Sequence, residues 1–187
     1  GDRPRRDAAH HHALEHRLTA DGRVALGDER AVGHPHRIPR GTGVGSAWVV
    51  SAMGKEASFV TVEVDEDRAA ACTRLFADLP NVRVLHGDWH EVLPPEAPFD
   101  LLFFDGGGWK RSPPAQMRAE SERALELVAA GGIVAMDNLT PEHLWPPDGP
   151  DWPDALREFW LGNDALMATE ILTTPETSAI LAVKHVP

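Results

Sequence analysis

Apolar stretches alternate with amphipathic ones along most of the chain. FVTVEV (59–64) is rich in β-branched residues and predicts a buried strand. DEDRAAACTRLFADL (65–79) opens with acids and sets Ala69, Cys72, Leu75, Phe76 and Leu79 on one side, which predicts a helix. VRVL (82–85) predicts a strand and HEVL (90–93) a short helix. FDLLFF (99–104) is a continuous apolar run, as a strand covered on both faces requires. An amphipathic helix follows over 114–129, closed by Gly131 and Gly132, and IVAM (133–136) is the next strand. Ahead of these, 45–53 reads as a helix and 54–58 as a turn.

Strands alternating with helices imply a parallel sheet with right-handed crossovers. The ending breaks the rhythm. After a helix at 154–162, ATEILTT (168–174) and SAILAVKHV (178–186) are separated only by PET, too short for a crossover. They must form an antiparallel hairpin. The expected fold class is α/β: a doubly wound sheet, mostly parallel, ending in an antiparallel β-hairpin.

Residues 1–36 lack this order. They are rich in Arg, His, Ala and Asp, and only HHALEHRLTA, with Leu14 and Leu18 four apart, hints at a helix. The expected division is a poorly patterned N-terminal segment, 1–36, partly helical or disordered, and a domain over 37–187. The shift in pattern near Gly41 is abrupt enough to suggest a reading-frame change just upstream of it. His10, His11 and His12 are consecutive, so on a helix they point in different directions and read as a solvated run.

Composition narrows the class. The chain has 187 residues, enough to bury a real core, and no apolar run approaches the ~20 residues of a membrane span. The N-terminal stretch lacks the apolar region of a secretory signal. Cys72 is the single cysteine, which fits a reducing cytoplasm. Net charge is −11. Residues 1–40 hold 8 Arg against 6 Asp or Glu, a balance of +2, so the remainder carries −13. An acidic body repels phosphate backbones, so neither nucleic acid nor a membrane is the expected partner.

Ligands of open α/β sheets bind beyond the carboxyl ends of the strands. There the sequence puts chemistry: a glycine turn at Gly41, Gly43 and Gly45, then Glu63 with Asp65, Asp88 with Trp89, Asp105, and Asp137 with Asn138. Glycines let a backbone approach a ligand and expose N–H donors. Glu63 stands near the distance from the glycine turn at which a carboxylate accepts ribose hydroxyls. Asp88 could accept from an adenine amino group, with Trp89 stacking nearby. Asp105, Asp137 and Asn138 are hard oxygen donors suited to Mg²⁺. Any one of these acids could equally be a helix cap.

From Gly41 onward these motifs resemble a class I S-adenosylmethionine-dependent methyltransferase with a Rossmann-like fold. They are most similar to small-molecule O-methyltransferases of the catechol O-methyltransferase type. TGVGSAWVVSAM resembles the family's first motif, VTVEVDEDRAAA the ribose motif with Glu63, and VLHGDWHEVLP the adenine-side motif with Asp88. FDLLFFDGGGWK and GGIVAMDN resemble the strand ends that supply metal ligands, at Asp105, Asp137 and Asn138, and SAILAVKHVP resembles the closing hairpin. The resemblance implies cofactor contacts from Gly41, Gly43, Gly45, Glu63, Asp88, Trp89 and Asp105, and Lys110 as base with Asp105 beside it. It implies a small aromatic or hydroxylated acceptor, Mg²⁺ assistance, a cytoplasmic setting and a homodimer.

The departures are local. The family's first strand ends in an acid, one residue, then glycine, and the aligned positions here are Arg37, Ile38 and Pro39. A cation there would repel the methionine ammonium, and prolines suit a central strand poorly. Lys110 follows Asp105 at a longer spacing than in the catechol enzymes, which leaves His90 and His143 as other bases. Trp109, Trp145 and Trp152 would give a flat apolar wall for the acceptor. Two other readings compete. A nicotinamide dehydrogenase would want Gly or Ala where Ser46 stands. A cofactor-binding protein with lost or impaired catalysis finds its support in Arg37 and Pro39.

Overall fold

The computed structural model describes residues 23–29, 44–106, 112–145 and 154–186. They form a seven-stranded sheet with helices on both faces. The strands are β1 (Arg23–Glu29), β2 (Ser58–Glu63), β3 (Val82–His86), β4 (Phe99–Gly106), β5 (Val128–Leu139), β6 (Leu166–Thr174) and β7 (Thr177–Lys184). The helices are α1 (Val44–Ala52), α2 (Glu66–Leu75), α3 (Trp89–Val92), α4 (Pro114–Glu126) and α5 (Ala155–Gly162).

Strand order is β3-β2-β1-β4-β5-β7-β6. The first five are parallel, and β7 runs antiparallel between β5 and β6. The α/β sheet with an antiparallel end is therefore as the pattern predicts. Order reverses beside β1, and there neighbouring crossovers leave on opposite faces and open a crevice.

The first strand is not where the motif alignment puts it. Arg23–Glu29 fills the inner place between β2 and β4, with Val24 and Ala25 buried, whereas residues 30–43 lie outside those described. RVALGDE has the apolar start and acidic end of the other parallel strands, and it comes from the segment that looked unpatterned. A shifted reading frame is not needed to explain that stretch, since it fits an inner strand.

The core has two sides. Under α3, α4 and α5 lie Val60, Val62, Leu102, Phe104, Val134, Met136 and Ile180, with Trp89, Met117, Phe159 and Trp160 packed on them. Under α1 and α2 lie Val24, Phe59, Val82 and Phe76, with Val49, Val50 and Met53 against them. Full burial of each large side chain contributes roughly 1.5–3 kcal/mol. Trp160 is fully buried, and its indole N–H donates to Ser121 Oγ at 3.0 Å, so its polar end is satisfied.

Two expected details differ. The helix after β2 stops at Leu75, with Phe76 as its cap, and buries Ala69, Cys72 and Phe76 while Leu75 and Leu79 stay exposed. The helix before β5 ends at Glu126, so Gly131 and Gly132 belong to β5 rather than to a helix cap. They sit where the β4–β5 register jumps, between Phe99↔Val128 and Leu101↔Ile133. Gly131 has φ +78°, and a Cβ on Gly132 would meet Val128 Cγ1 at 2.8 Å.

Candidate active site

The strand registers build the site. Gly27 pairs with Val62, Asp28 with Asp105, Glu63 with His86, and Phe104 with Met136. His86, Glu63, Asp28, Asp105 and Asp137 therefore follow one another across the carboxyl edge of five adjacent strands. Four of these five residues are acidic.

Glu63 is buried, at 4 % exposure. Its Oε1 accepts from the Asp65 backbone N–H at 2.9 Å and from Arg68 Nη2 at 3.1 Å. A buried carboxylate needs such partners, because desolvation opposes its charge. Both bonds fall on one oxygen and neither uses Oε2. Arg68 Nε is a buried donor without a hydrogen-bond partner among the described residues, since Asp65 Oδ1 lies 3.9 Å away. Asp65 itself caps α2, accepting from Arg68 N at 3.0 Å.

Asp88 repeats this construction. Its Oδ1 accepts from the His90 backbone N–H at 2.9 Å and from His90 Nδ1 at 2.5 Å. Again one oxygen is anchored by an N–H two residues on and by a side chain of the following helix. Burial works against the ionised Asp88, but the backbone and side-chain bonds from His90 outweigh it and lower its pKa. Gly87 makes the turn possible: its φ is +147°, its N–H donates to Glu63 O at 3.1 Å, and a Cβ there would strike Val92 Cγ1 at 2.8 Å.

Trp89 corrects an expectation. It is 2 % exposed, lies edge-on to Phe104 at 5.4 Å and belongs to the core, so its indole does not offer a face to an adenine. His90 corrects another. With Nδ1 on Asp88 and Nε2 at 2.5 Å from Glu120 Oε2, both ring nitrogens are engaged, which removes it as a general base. His143 Nε2 lies 3.2 Å from Pro175 O in the hairpin turn.

On the other side of the row, β5 delivers Asp137 and Asn138, the latter at φ +62°. The chain then passes Thr140 to Trp145, a loop held by Arg157 of α5. Arg157 Nη2 donates to Thr140 O at 2.9 Å, and the guanidinium lies 5.2 Å from the Trp145 ring centre. Nε and Nη2 grip Glu170 of β6 at 2.7 and 2.6 Å, and Nη1 meets Asp154. Trp145 Nε1 also donates to Thr140 O, at 3.1 Å.

Among the described residues no three His, Cys, Asp or Glu side chains gather as a metal site. The expected ligand set is brought to one edge only by its backbone: Asp137 is next to Asp105 by register, and the Asp105 side chain lies outside the described residues. Gly41, Gly43, Trp109, Lys110 and Trp152 also lie outside them. Gly45 is in the first turn of α1, where the buried Ser46 bonds Thr61 Oγ1 of β2 at 3.2 Å and seats the helix on the sheet. No described helix is long and apolar enough to cross a membrane.

The sequence reading missed Asp28 and Glu29. Their signal was present, since an apolar run closed by acids matches the other strands, but eleven residues separate Glu29 from Gly41 and the motif alignment looked only beside the glycines. Arg68, Glu120 and Arg157 carry no motif and become visible only through their partners.

Comparison places this site in a class. A family model described as a methyltransferase domain matches residues 40–139, more than half of the chain. The chain belongs to that family. The solved O-methyltransferase TomG of Streptomyces achromogenes, involved in tomaymycin synthesis and in complex with SAM, matches at TM-score 0.64 with 22% identity, over 94% of this chain and 78% of its own. An O-methyltransferase from Bacillus cereus in complex with SAH matches at TM-score 0.65 with 20% identity, over 97% and 84%. A putative rRNA methylase from Clostridium thermocellum matches at 0.60 with 15% identity, over 95% and 94%. These three share the fold. No curated protein matches the sequence.

Proposed function

We propose that this chain is a cytoplasmic S-adenosylmethionine-dependent O-methyltransferase for a small, hydroxylated and planar acceptor. One observation carries the reading: Glu63 and Asp88, at the ends of neighbouring strands, are each fixed through one carboxylate oxygen, with no bond to the other from the described residues. Such a pair of acceptors fits an adenosyl group. Glu63 Oε2 accepts from the ribose, and Asp88 Oδ2 accepts from the adenine amino group. Asp28, next along the row by register, takes the role of the acid for the methionine ammonium, and Gly41, Gly43 and Gly45 are the proposed glycine contacts to the cofactor.

When bound, the cofactor supplies an electrophilic methyl on a sulfonium. The protein must align the acceptor oxygen in line with it, and such positioning contributes on the order of 7 kcal/mol in the best cases. That sulfonium would give its methyl to the acceptor oxygen, with the carbon–sulfur electron pair left on sulfur. Lys110 is the base proposed for the hydroxyl proton. Trp145, held by Thr140 and Arg157, forms one wall for a planar acceptor. A cation held by Asp105, Asp137 and Asn138 has no assembled site among the described residues, and nothing in this scheme depends on it.

β1 closes on Asp28 and Glu29, which supports an acid at the end of the first strand and favours the enzyme over the binding-only alternative. The −11 charge favours a small acceptor over RNA. Calorimetry with S-adenosylhomocysteine and NAD, followed by methylation assays on a phenol panel with EDTA or added Mg²⁺, tests the proposal. Binding of NAD alone, or cofactor binding with no methylated product across the panel, would overturn it.

A further inference from the structure

His90 stands between two carboxylates from different elements. Nδ1 lies 2.5 Å from Asp88 Oδ1 in its own turn, and Nε2 lies 2.5 Å from Glu120 Oε2 on α4. A neutral imidazole donates through one nitrogen only, and an ionised carboxylate only accepts. With both carboxylates ionised, both contacts are hydrogen bonds at once only when the ring is an imidazolium. Trp89 covers the ring at 4.0 Å, Glu120 is itself buried, and the neighbouring Glu91 is exposed. Among the described residues, the charged groups facing the ring are thus Asp88 and Glu120.

We propose that His90 is a positioning residue for the adenosyl site: as an imidazolium clamped by Glu120, it fixes Asp88 in the orientation that receives the adenine amino group. The proposal rests on the reading of Asp88 as the adenine-side acid. Asp88 is more than half exposed, so without His90 its carboxylate would lose rotamer freedom on binding. With His90 in place that ordering precedes the ligand. Burial alone disfavours the imidazolium, but the bonds to Glu120 and Asp88 and their charges outweigh it and raise the His90 pKa. The adenosyl site is therefore organised at low and neutral pH and loosens as pH rises through that raised value.

The test uses two probes on the full chain. S-adenosylhomocysteine reports whether the cofactor site exists. 5′-Methylthioadenosine lacks the amino-acid portion, so its pH profile carries no contribution from a ligand ammonium. For wild type, 5′-methylthioadenosine affinity is expected to fall about tenfold between about pH 6 and about pH 9, the loss of one charge-assisted contact. Glu120→Gln is expected to move the midpoint to lower pH, and His90→Gln to bind weakly with no pH dependence. Thermal melts establish folding, and Glu120→Gln carries the test if His90→Gln does not fold. Absence of S-adenosylhomocysteine binding at every pH overturns the cofactor reading and the proposal with it. S-adenosylhomocysteine binding accompanied by a flat or undetectable 5′-methylthioadenosine profile, or by an unmoved midpoint in Glu120→Gln, overturns the proposal alone.

Discussion

Asp28 and Asp105 are Cα partners in the ladder between β1 and β4, so two acidic residues stand side by side at the carboxyl edge of two inner strands. Like charges at one edge favour a cation between them. Under the proposed function that cation is the ammonium of the cofactor. Asp28→Asn is expected to weaken S-adenosylhomocysteine binding by about tenfold, or about 1.4 kcal/mol. Arg37→Ala is expected to leave it unchanged, because β1 closes on Asp28 and Glu29. Calorimetry on the two variants decides between the two placements of the first strand, and the opposite ranking would restore the motif alignment.

Glu63 offers a second measurement. Its Oε1 is committed to Asp65 and Arg68, so the ligand must use what remains. Glu63→Gln keeps the shape but removes the charge. A charge-assisted hydrogen bond contributes about 1.5–3 kcal/mol, so cofactor affinity is expected to fall roughly 10- to 100-fold. Unchanged affinity in a folded variant would remove Glu63 from the site.

Much of this arrangement was legible in the sequence. Apolar runs ending in acids identify the parallel strands, and the short PET connection leaves a hairpin as the only closure. The strand at 23–29 carries the same signal but stands alone, because its neighbours on both sides lack periodic apolar positions and the family's first strand aligns instead beside the glycine turn, at Arg37–Pro39. Trp89 was misread because a tryptophan after a strand-end acid suits a stacking role as well as a core role, and only burial separates them. His90 was misread as a base because sequence does not show that Glu120, thirty residues away, closes its second nitrogen.

Gly131 and Gly132 lie in a bulge of β5 rather than at a helix stop, which gives them a different cost. A Cβ on Gly132 would lie 2.8 Å from Val128 Cγ1 and 3.0 Å from the carbonyl oxygens of Ala129 and Phe99. Backbone oxygens cannot step aside as a flexible side chain does. Gly132→Ala is expected to destabilise the fold by about 2 kcal/mol, read by urea unfolding. An effect near zero would show that the β4–β5 bulge relaxes freely.

Arg157 joins three elements beside the 140–145 loop: Asp154 at the cap of α5, Glu170 on β6 and Thr140 after β5. Its desolvation is outweighed by the bonds to Glu170 and Asp154, which raise its pKa, while the bond from Arg157 is the main cause that lowers the pKa of Glu170. Arg157→Met leaves Glu170 partly buried without its cation and is expected to cost about 2–4 kcal/mol. Arg157→Lys should recover only part, since an ammonium cannot grip both carboxylate oxygens in a fork. The pH dependence has a definite sign. A lowered carboxylate pKa adds stability that is fully present above the ordinary value of 4.5 and is lost as pH falls through the lowered one. Urea unfolding of wild type and Arg157→Met at neutral pH and at about pH 3 should therefore show the gap between them narrowing in acid. A gap that is the same at both pH values would mean that the Arg157–Glu170 pair does not hold the 140–145 loop.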